Sequence, residues 1–216
     1  MFEKRINGIS FLRVIKAFRY FSLIYLLFCL SACSPILGFI LGIKNSEKES
    51  KVKQVRYLKH HGIDTSNMLV LKILYRDSLK KYDIMATRAK EQSVMTPIQF
   101  RMFDRSGKFI SGWAICCGPA NYLHLYDTFP PKRVPIVDGN PNLFQDIKMY
   151  ETFDGKDADV NRILGNHQYV IIAYWAKYLG IPSKTMLKKL EKYIAKNKDK
   201  DIVLIKVNLG DIEKRK

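Results

Sequence analysis

Three consecutive segments near the carboxyl end constrain the fold more than anything else in this chain. Tyr169 to Trp175 is a continuous apolar run of strand formers. Ser183 then stands before a segment in which Met186, Leu187, Leu190, Tyr193 and Ile194 fall on one helical face, and Ile202 to Val207 is a second largely apolar run. Strand, helix and strand in this order make a right-handed βαβ unit. Two apolar strands joined in this way belong inside a parallel or mixed sheet covered on both faces, so the expected class is α/β.

Upstream, Met68 to Tyr75 reads as a strand, and Asp77 and Ser78 offer an N-cap to a helix running to about Glu91 on Leu79, Tyr82, Met85, Ala86 and Ala89. Gln99 to Phe103 and Lys108 to Trp113 flank Asp104-Arg105-Ser106-Gly107, a turn whose glycine accepts positive φ, and the two segments are expected to pair as a β-hairpin. Pro130, Pro131, Pro135, Pro141 and Gly139 mark a long loop between Asp127 and Asp146, expected to cover the sheet.

The amino terminus speaks to location. Lys4, Arg5, Arg13, Lys16 and Arg19 face only Glu3, and Phe21 to Ile43 carries no charge. Such a basic flank before an apolar block is a signal peptide or a signal anchor. Leu30-Ser31-Ala32-Cys33 resembles the lipobox of bacterial lipoproteins, and that resemblance implies cleavage after residue 32 and a lipid on Cys33. The alternative is an uncleaved anchor, since residues 21–43 are long enough to span a bilayer core of about 30 Å. Either way the positive flank stays in the cytoplasm, and the rest faces the periplasm or the outside of the cell envelope. The expected organisation is 1–32 as signal or anchor with the apolar block continuing to 43, 44–56 as a polar tether, and 57–216 as the exported α/β domain.

Lysine and arginine total 37 against 20 acidic residues. The lysines are spread over expected helix faces and not gathered with aromatics into a stacking groove, so the surplus reads as a solvated surface with some attraction to anionic lipid, and no nucleic-acid partner is expected. His60 and His61 are adjacent while His124 and His167 stand alone, without the spacing of a zinc site. Asp154, Asp157 and Asp159 lack the glycine and distal glutamate of a calcium loop and read as a solvated turn. No phosphate-cradling glycine loop or Gly-x-Ser-x-Gly elbow is present, and no metal or cofactor is expected.

The stretch Tyr169-Val-Ile-Ile-Ala-Tyr-Trp175-Ala176-Lys-Tyr178-Leu179-Gly180-Ile181-Pro182-Ser183-Lys184, with its helix and the strand ending Lys206-Val207-Asn208, resembles the first βαβ unit of thioredoxin-like proteins. It is most similar to membrane-tethered thiol:disulfide interchange proteins, in which an aromatic-Trp-Ala sequence leads into Cys-Gly-Pro-Cys at a helix amino terminus. Trp175, Ala176, Gly180 and Pro182 are the positions on which the resemblance rests, but Leu179 and Pro182 stand where the two cysteines belong, so dithiol chemistry is lost there. The resemblance implies a thioredoxin-like mixed sheet with flanking helices. It also implies a cis-proline opening an antiparallel hairpin. Thr96-Pro97 before the hairpin 99–113 fits that description upstream of the βαβ unit, which gives a permuted order of elements.

A second echo of the motif is Trp113-Ala114-Ile115-Cys116-Cys117-Gly118-Pro119-Ala120, with Cys117 in the place of the attacking thiol and Ala120 in that of the resolving one. A helix starting at Pro119 would acidify Cys117, and a monothiol forms mixed disulfides without releasing them. The alternative is that Cys116 and Cys117 pack as small hydrophobes or form an internal pair. The expected role is a non-catalytic binding or assembly component of the cell envelope, tethered to membrane lipid and meeting an envelope protein. A monothiol redox protein using Cys117 is the alternative, and a structural lipoprotein of unrelated fold is a third reading. The sequence leaves oligomeric state open.

Overall fold

The architecture follows from how the apolar residues alternate. The computed structural model of the chain describes residues 42, 44, 49–72, 75, 98–115, 128–131 and 142–210. Among these, six strands form one mixed sheet: β1 (Met68–Leu71), β2 (Ile98–Asp104), β3 (Phe109–Ile115), β4 (Tyr150–Glu151), β5 (Tyr169–Trp175) and β6 (Ile202–Asn208), in the order β3-β2-β5-β6-β1-β4. The helices are α1 (Lys51–His60), α2 (Leu143–Asp146), α3 (Val160–Leu164) and α4 (Gly180–Lys196), with short 3-10 turns at Ile147–Met149, Lys177–Leu179 and Lys198–Lys200.

The βαβ expectation holds. β5 pairs with β6 in parallel from Tyr169↔Ile202 to Trp175↔Asn208, with α4 as the crossover. β5 and β6 are buried along nearly their whole length, which is why β5 reads as an unbroken apolar run and β6 as a largely apolar one interrupted by Lys206. The expected hairpin is also present: β2 and β3 are antiparallel, and β2 runs antiparallel to β5 on its other side. β1 adds in parallel to β6, and β4 closes that edge antiparallel to β1.

Period-two alternation divides the core into two layers. On one face Phe100, Met102, Ile171, Ala173, Trp175 and Leu204 pack against Leu58 of α1 and Met186, Leu187, Leu190 and Tyr193 of α4. On the other, Phe103, Val170, Ile172, Val203, Ile205 and Val207 pack against Leu143, Ile147 and Tyr150. Each fully buried Val, Leu, Ile, Phe or Met side chain contributes about 1.5–3 kcal/mol, so the two faces together supply the driving force for closing the sheet.

Three expectations change. Residues 51–60, placed by sequence inside or beside a polar tether, form helix α1, capped by Ser50, with Gln54 and Leu58 buried one turn apart. Ser183 does not cap α4: the helix opens at Gly180, and the Ser183 hydroxyl reaches back to accept from the Ala176 N–H at 3.2 Å. The described part of the proline-rich stretch is tied down at both ends. Ser111 donates to the Pro131 carbonyl at 2.6 Å, and Leu143 N–H donates to the Gly107 carbonyl at 3.0 Å, docking α2 under the hairpin turn. The expected helix at 77–91 and the Thr96-Pro97 step lie outside the described residues. Among the described residues a cis peptide joins Phe129 and Pro130, and Phe129 packs on Tyr169 at the amino-terminal end of β5.

Candidate functional site

The residues on which the sequence resemblance rests come together where β5 gives way to α4. Trp175 ends β5 fully buried, and its carbonyl accepts from the Leu209 N–H at 2.8 Å, which locks the ends of β5 and β6 side by side. The chain then makes one 3-10 turn and enters α4 through Gly180, whose φ of 57° suits a residue without a Cβ. Pro182 sits in the first turn of α4, where its missing N–H leaves no helical bond unmade. Leu179 and Pro182, at the positions of the two cysteines, are both buried packing residues.

In front of this turn lies a cavity of about 210 Å³, bounded by α1, the Lys177–Gly180 turn and the end of β6. Its lining includes Gln54 and Tyr57 from α1, Lys177 and Gly180 from the turn, and Asn208 from β6. Tyr57 stacks on Trp175 with ring centroids 6.3 Å apart and planes 7° from parallel. Burial, with the Glu49 carboxylate adding to it, raises the Tyr57 phenol above its ordinary value, so it stays neutral. Lys177 is neutralised by Glu49 at 2.7 Å.

The floor of the cavity is a pair of buried amides, Gln54 and Asn208, each 1% exposed. Gly210 N–H donates to Asn208 Oδ1 at 2.7 Å, and Gln54 Nε2 donates to the same oxygen at 3.3 Å. These two donors fix both amide orientations, because flipping either one would set N–H against N–H or oxygen against oxygen. Gln54 Oε1, Asn208 Nδ2 and Trp175 Nε1 are buried and have no hydrogen-bond partner within the protein, whereas buried polar atoms are almost always bonded to protein or to water.

Two other polar clusters lie elsewhere in the core. Arg101 on β2 is buried against Asp146 at 2.7 Å with its guanidinium 5.3 Å from the Tyr174 ring, and the Tyr174 hydroxyl hydrogen-bonds that of Tyr150. Burial pushes both phenols above their ordinary value. Lys206 on β6 is buried between Asp64 at 3.1 Å and Glu191 at 3.8 Å, beside a more open groove of about 500 Å³. Burial raises Glu191, whereas for Asp64 the opposing effect of burial is outweighed by the hydrogen bonds from Ser66 and the charge of Lys206, which leave it lowered. Arg101 is matched by one carboxylate and Lys206 faces two, and each set ties a sheet face to its cover.

The structure brings together Trp175, Ala176, Gly180 and Pro182 of the sequence-derived set. Trp113 lies on β3, half-buried against the core and opposite Phe100. Cys33, Cys117, Gly118 and Pro119 lie outside the described residues. Gln54, Tyr57 and Asn208 were missed by the sequence reading. Gln54 and Asn208 are 154 positions apart, and no local pattern joins them. The only trace was the Gln54–Leu58 spacing of one helical turn in a segment otherwise polar enough to pass for a linker.

Of the three aspartates read as a turn, Asp159 caps α3 and Asp157 pairs with Lys72 at 2.7 Å. Among the described residues no group of three or more His, Cys, Asp or Glu is placed to hold a metal, and no helix is long and apolar enough to cross a membrane. Comparison with family models, with curated proteins and with solved structures finds no match to this chain.

Proposed function

We propose that this chain is a membrane-tethered, exported binding component of the cell envelope, built on a degenerate thioredoxin-like domain. The observation that carries the reading is the pairing of two features at one place. The positions of the lost dithiol, Leu179 and Pro182, are buried as packing residues, and the turn between them borders a cavity lined by hydrogen-bonding groups. A thiol site has given way to a recognition site. The fold assignment draws support from β5-α4-β6 beside an antiparallel hairpin that precedes it in the chain, the permuted order expected from the sequence. Tethering rests on the basic flank, the uncharged block 21–43 and the Cys33 motif.

Ile181, next to the cavity on the first turn of α4, is 46% exposed and is the natural place for a photo-crosslinking residue. In the full chain expressed in cells, irradiation is expected to yield a discrete adduct with an envelope protein. Adducts confined to cytoplasmic proteins would overturn the reading.

One observation favours the monothiol alternative. β3 runs in the same direction as β5, because both are antiparallel to β2, and Ile98↔Ile115 and Gln99↔Tyr174 place the ends of β3 and β5 on one edge of the sheet. Cys117 follows Ile115, the last residue of β3, by two positions in the sequence. Alkylation of the native chain at neutral pH at a rate well above that of an ordinary thiol, lost in Cys117→Ser, would establish this reading in place of the first.

A further inference from the structure

We infer that the outer face formed by α1 and α4 docks on an anionic lipid bilayer. This rests on the tethered, exported reading for the identity of the surface, while the face itself is a matter of charge and packing. Both helices cover the same side of the sheet, with Leu58 of α1 and Met186, Leu187 and Leu190 of α4 turned into it. They carry four basic residues on α1 and five on α4, against one acid, Glu191, which is turned toward the buried Lys206. The segment 143–164, whose Leu143, Ile147 and Ile163 cover the other side of the sheet, carries three basic residues and five acidic ones. Positive charge that the sequence leaves scattered is therefore gathered by the fold on one side of the sheet, and such an asymmetry orients a domain on an anionic surface.

The cations on that side are open to a partner. Arg56 and Lys59 of α1 and Lys188 and Lys192 of α4 are exposed and have no ion-pair partner among the described residues. The two helices present them side by side: burial, with the charges of Lys184, His60 and Lys188 adding to it, holds His61 at the end of α1 below its ordinary value. Val52, one turn from Arg56, is 54% exposed, and Ile181, two turns from Lys188, is 46% exposed. A basic helical face with apolar side chains among its charges suits a headgroup layer, where the cations meet phosphate and the apolar groups leave water. Nucleic-acid phosphates would take the cations and leave Val52 and Ile181 in water. The chain also enters the domain at one end of this face: Lys44, the first residue after the uncharged block 21–43, donates its N–H to the Tyr178 carbonyl at 2.8 Å, just before α4. Ile181 lies at that end, so a protein partner reached through it would stand at the bilayer surface.

The test is amine footprinting by mass spectrometry, with a membrane-permeant acetylating reagent, of the full chain in vesicles of phosphatidylcholine alone or of equimolar phosphatidylcholine and phosphatidylglycerol. Acetylation of Lys59, Lys188 and Lys192 is expected to slow at least about fivefold in the anionic vesicles, the effect of roughly one cation held near the surface. Lys148 and Lys156, exposed on the other side of the sheet, should keep their rates. In about 1 M salt, where the Debye length falls to about 3 Å, the difference should vanish. Lys188→Glu combined with Lys192→Glu, both at exposed positions, should return Lys59 to its rate in neutral vesicles.

Equal footprints in the two kinds of vesicle, equal slowing of Lys148 and Lys156, or protection of Lys59 that survives both charge reversals would overturn the inference. So would duplex DNA protecting the same lysines as strongly at equal phosphate concentration, which would assign the face to nucleic acid. Flotation separates this result from the tether. A chain that floats with neutral vesicles and gives equal footprints keeps its tether and loses the docking face; one that floats only with anionic vesicles, and only at low salt, keeps the face and loses the tether.

Discussion

Removing either hydroxyl of the Tyr150–Tyr174 pair strands the other in a fully buried site beside Arg101 and Asp146. Tyr174→Phe is therefore expected to lower the unfolding free energy by about 1–3 kcal/mol, and Tyr150→Phe by a similar amount. The double variant should cost clearly less than the sum, because both partners of one bond are gone; urea denaturation of the four proteins closes the cycle. Asp64 gives a prediction of the pH dependence. Its pKa is lowered below the ordinary 3.8, so its contribution to stability is complete above that value and is lost as pH falls through the lower folded one. The stability difference between the parent and Asp64→Asn should accordingly be constant from neutral pH down to about 4 and disappear under stronger acid. A difference that shrinks already between pH 7 and 5 would show that Asp64 is not held by Ser66 and Lys206 in solution.

At the scale of elements, α1 separates a tether from a domain. Leu58 is fully buried in the layer that includes Trp175 and Leu190, so Leu58→Ala should destabilise the fold by about 2–5 kcal/mol, whereas the same change in a linker would be silent by thermal or urea unfolding. Gly107 supplies a second test. Its φ of +78° closes the hairpin turn, and a Cβ there would lie 2.5 Å from the Phe144 ring. Phe144 is 40% exposed and able to swing aside, so Gly107→Ala should cost chiefly the left-handed backbone, about 1–2 kcal/mol.

These two elements also show what the sequence disclosed. The hairpin was legible because Asp104-Arg105-Ser106-Gly107 interrupts two strand-forming runs, and α4 was legible because Met186, Leu187, Leu190 and Tyr193 repeat at helical spacing. α1 was not, because one of its two buried positions is a glutamine. A polar residue that earns its place through a tertiary contact, here with Asn208 on a strand far away in sequence, leaves no periodic mark. The same reason hid the cavity: the motif at Trp175 to Pro182 located one wall, and the other walls come from α1 and the end of β6.

For the whole molecule the proposed membrane tether is tested through residues 1–43. The two readings of residues 1–43 place the domain on the same side but differ in mass and chemistry. Cleavage at Cys33 removes residues 1–32 and adds labelled fatty acid, while an uncleaved anchor keeps every residue and takes up none. Intact-mass measurement of the chain extracted from cells grown with labelled palmitate is expected to show the shortened, acylated form, and Cys33→Ala to show full length without label. Label that persists in Cys33→Ala would defeat the lipoprotein assignment. Topology is tested separately by adding protease to spheroplasts. The lysine-rich surface of α4 offers exposed cleavage sites once a molecule opens, so degradation of the parent chain and of Leu58→Ala should need no lysis, with the destabilised variant cut faster because its unfolded fraction is larger. A chain that resists until the cytoplasm is opened would put the domain inside the cell, and with it would fall the case for an envelope partner at the Gln54–Asn208 cavity.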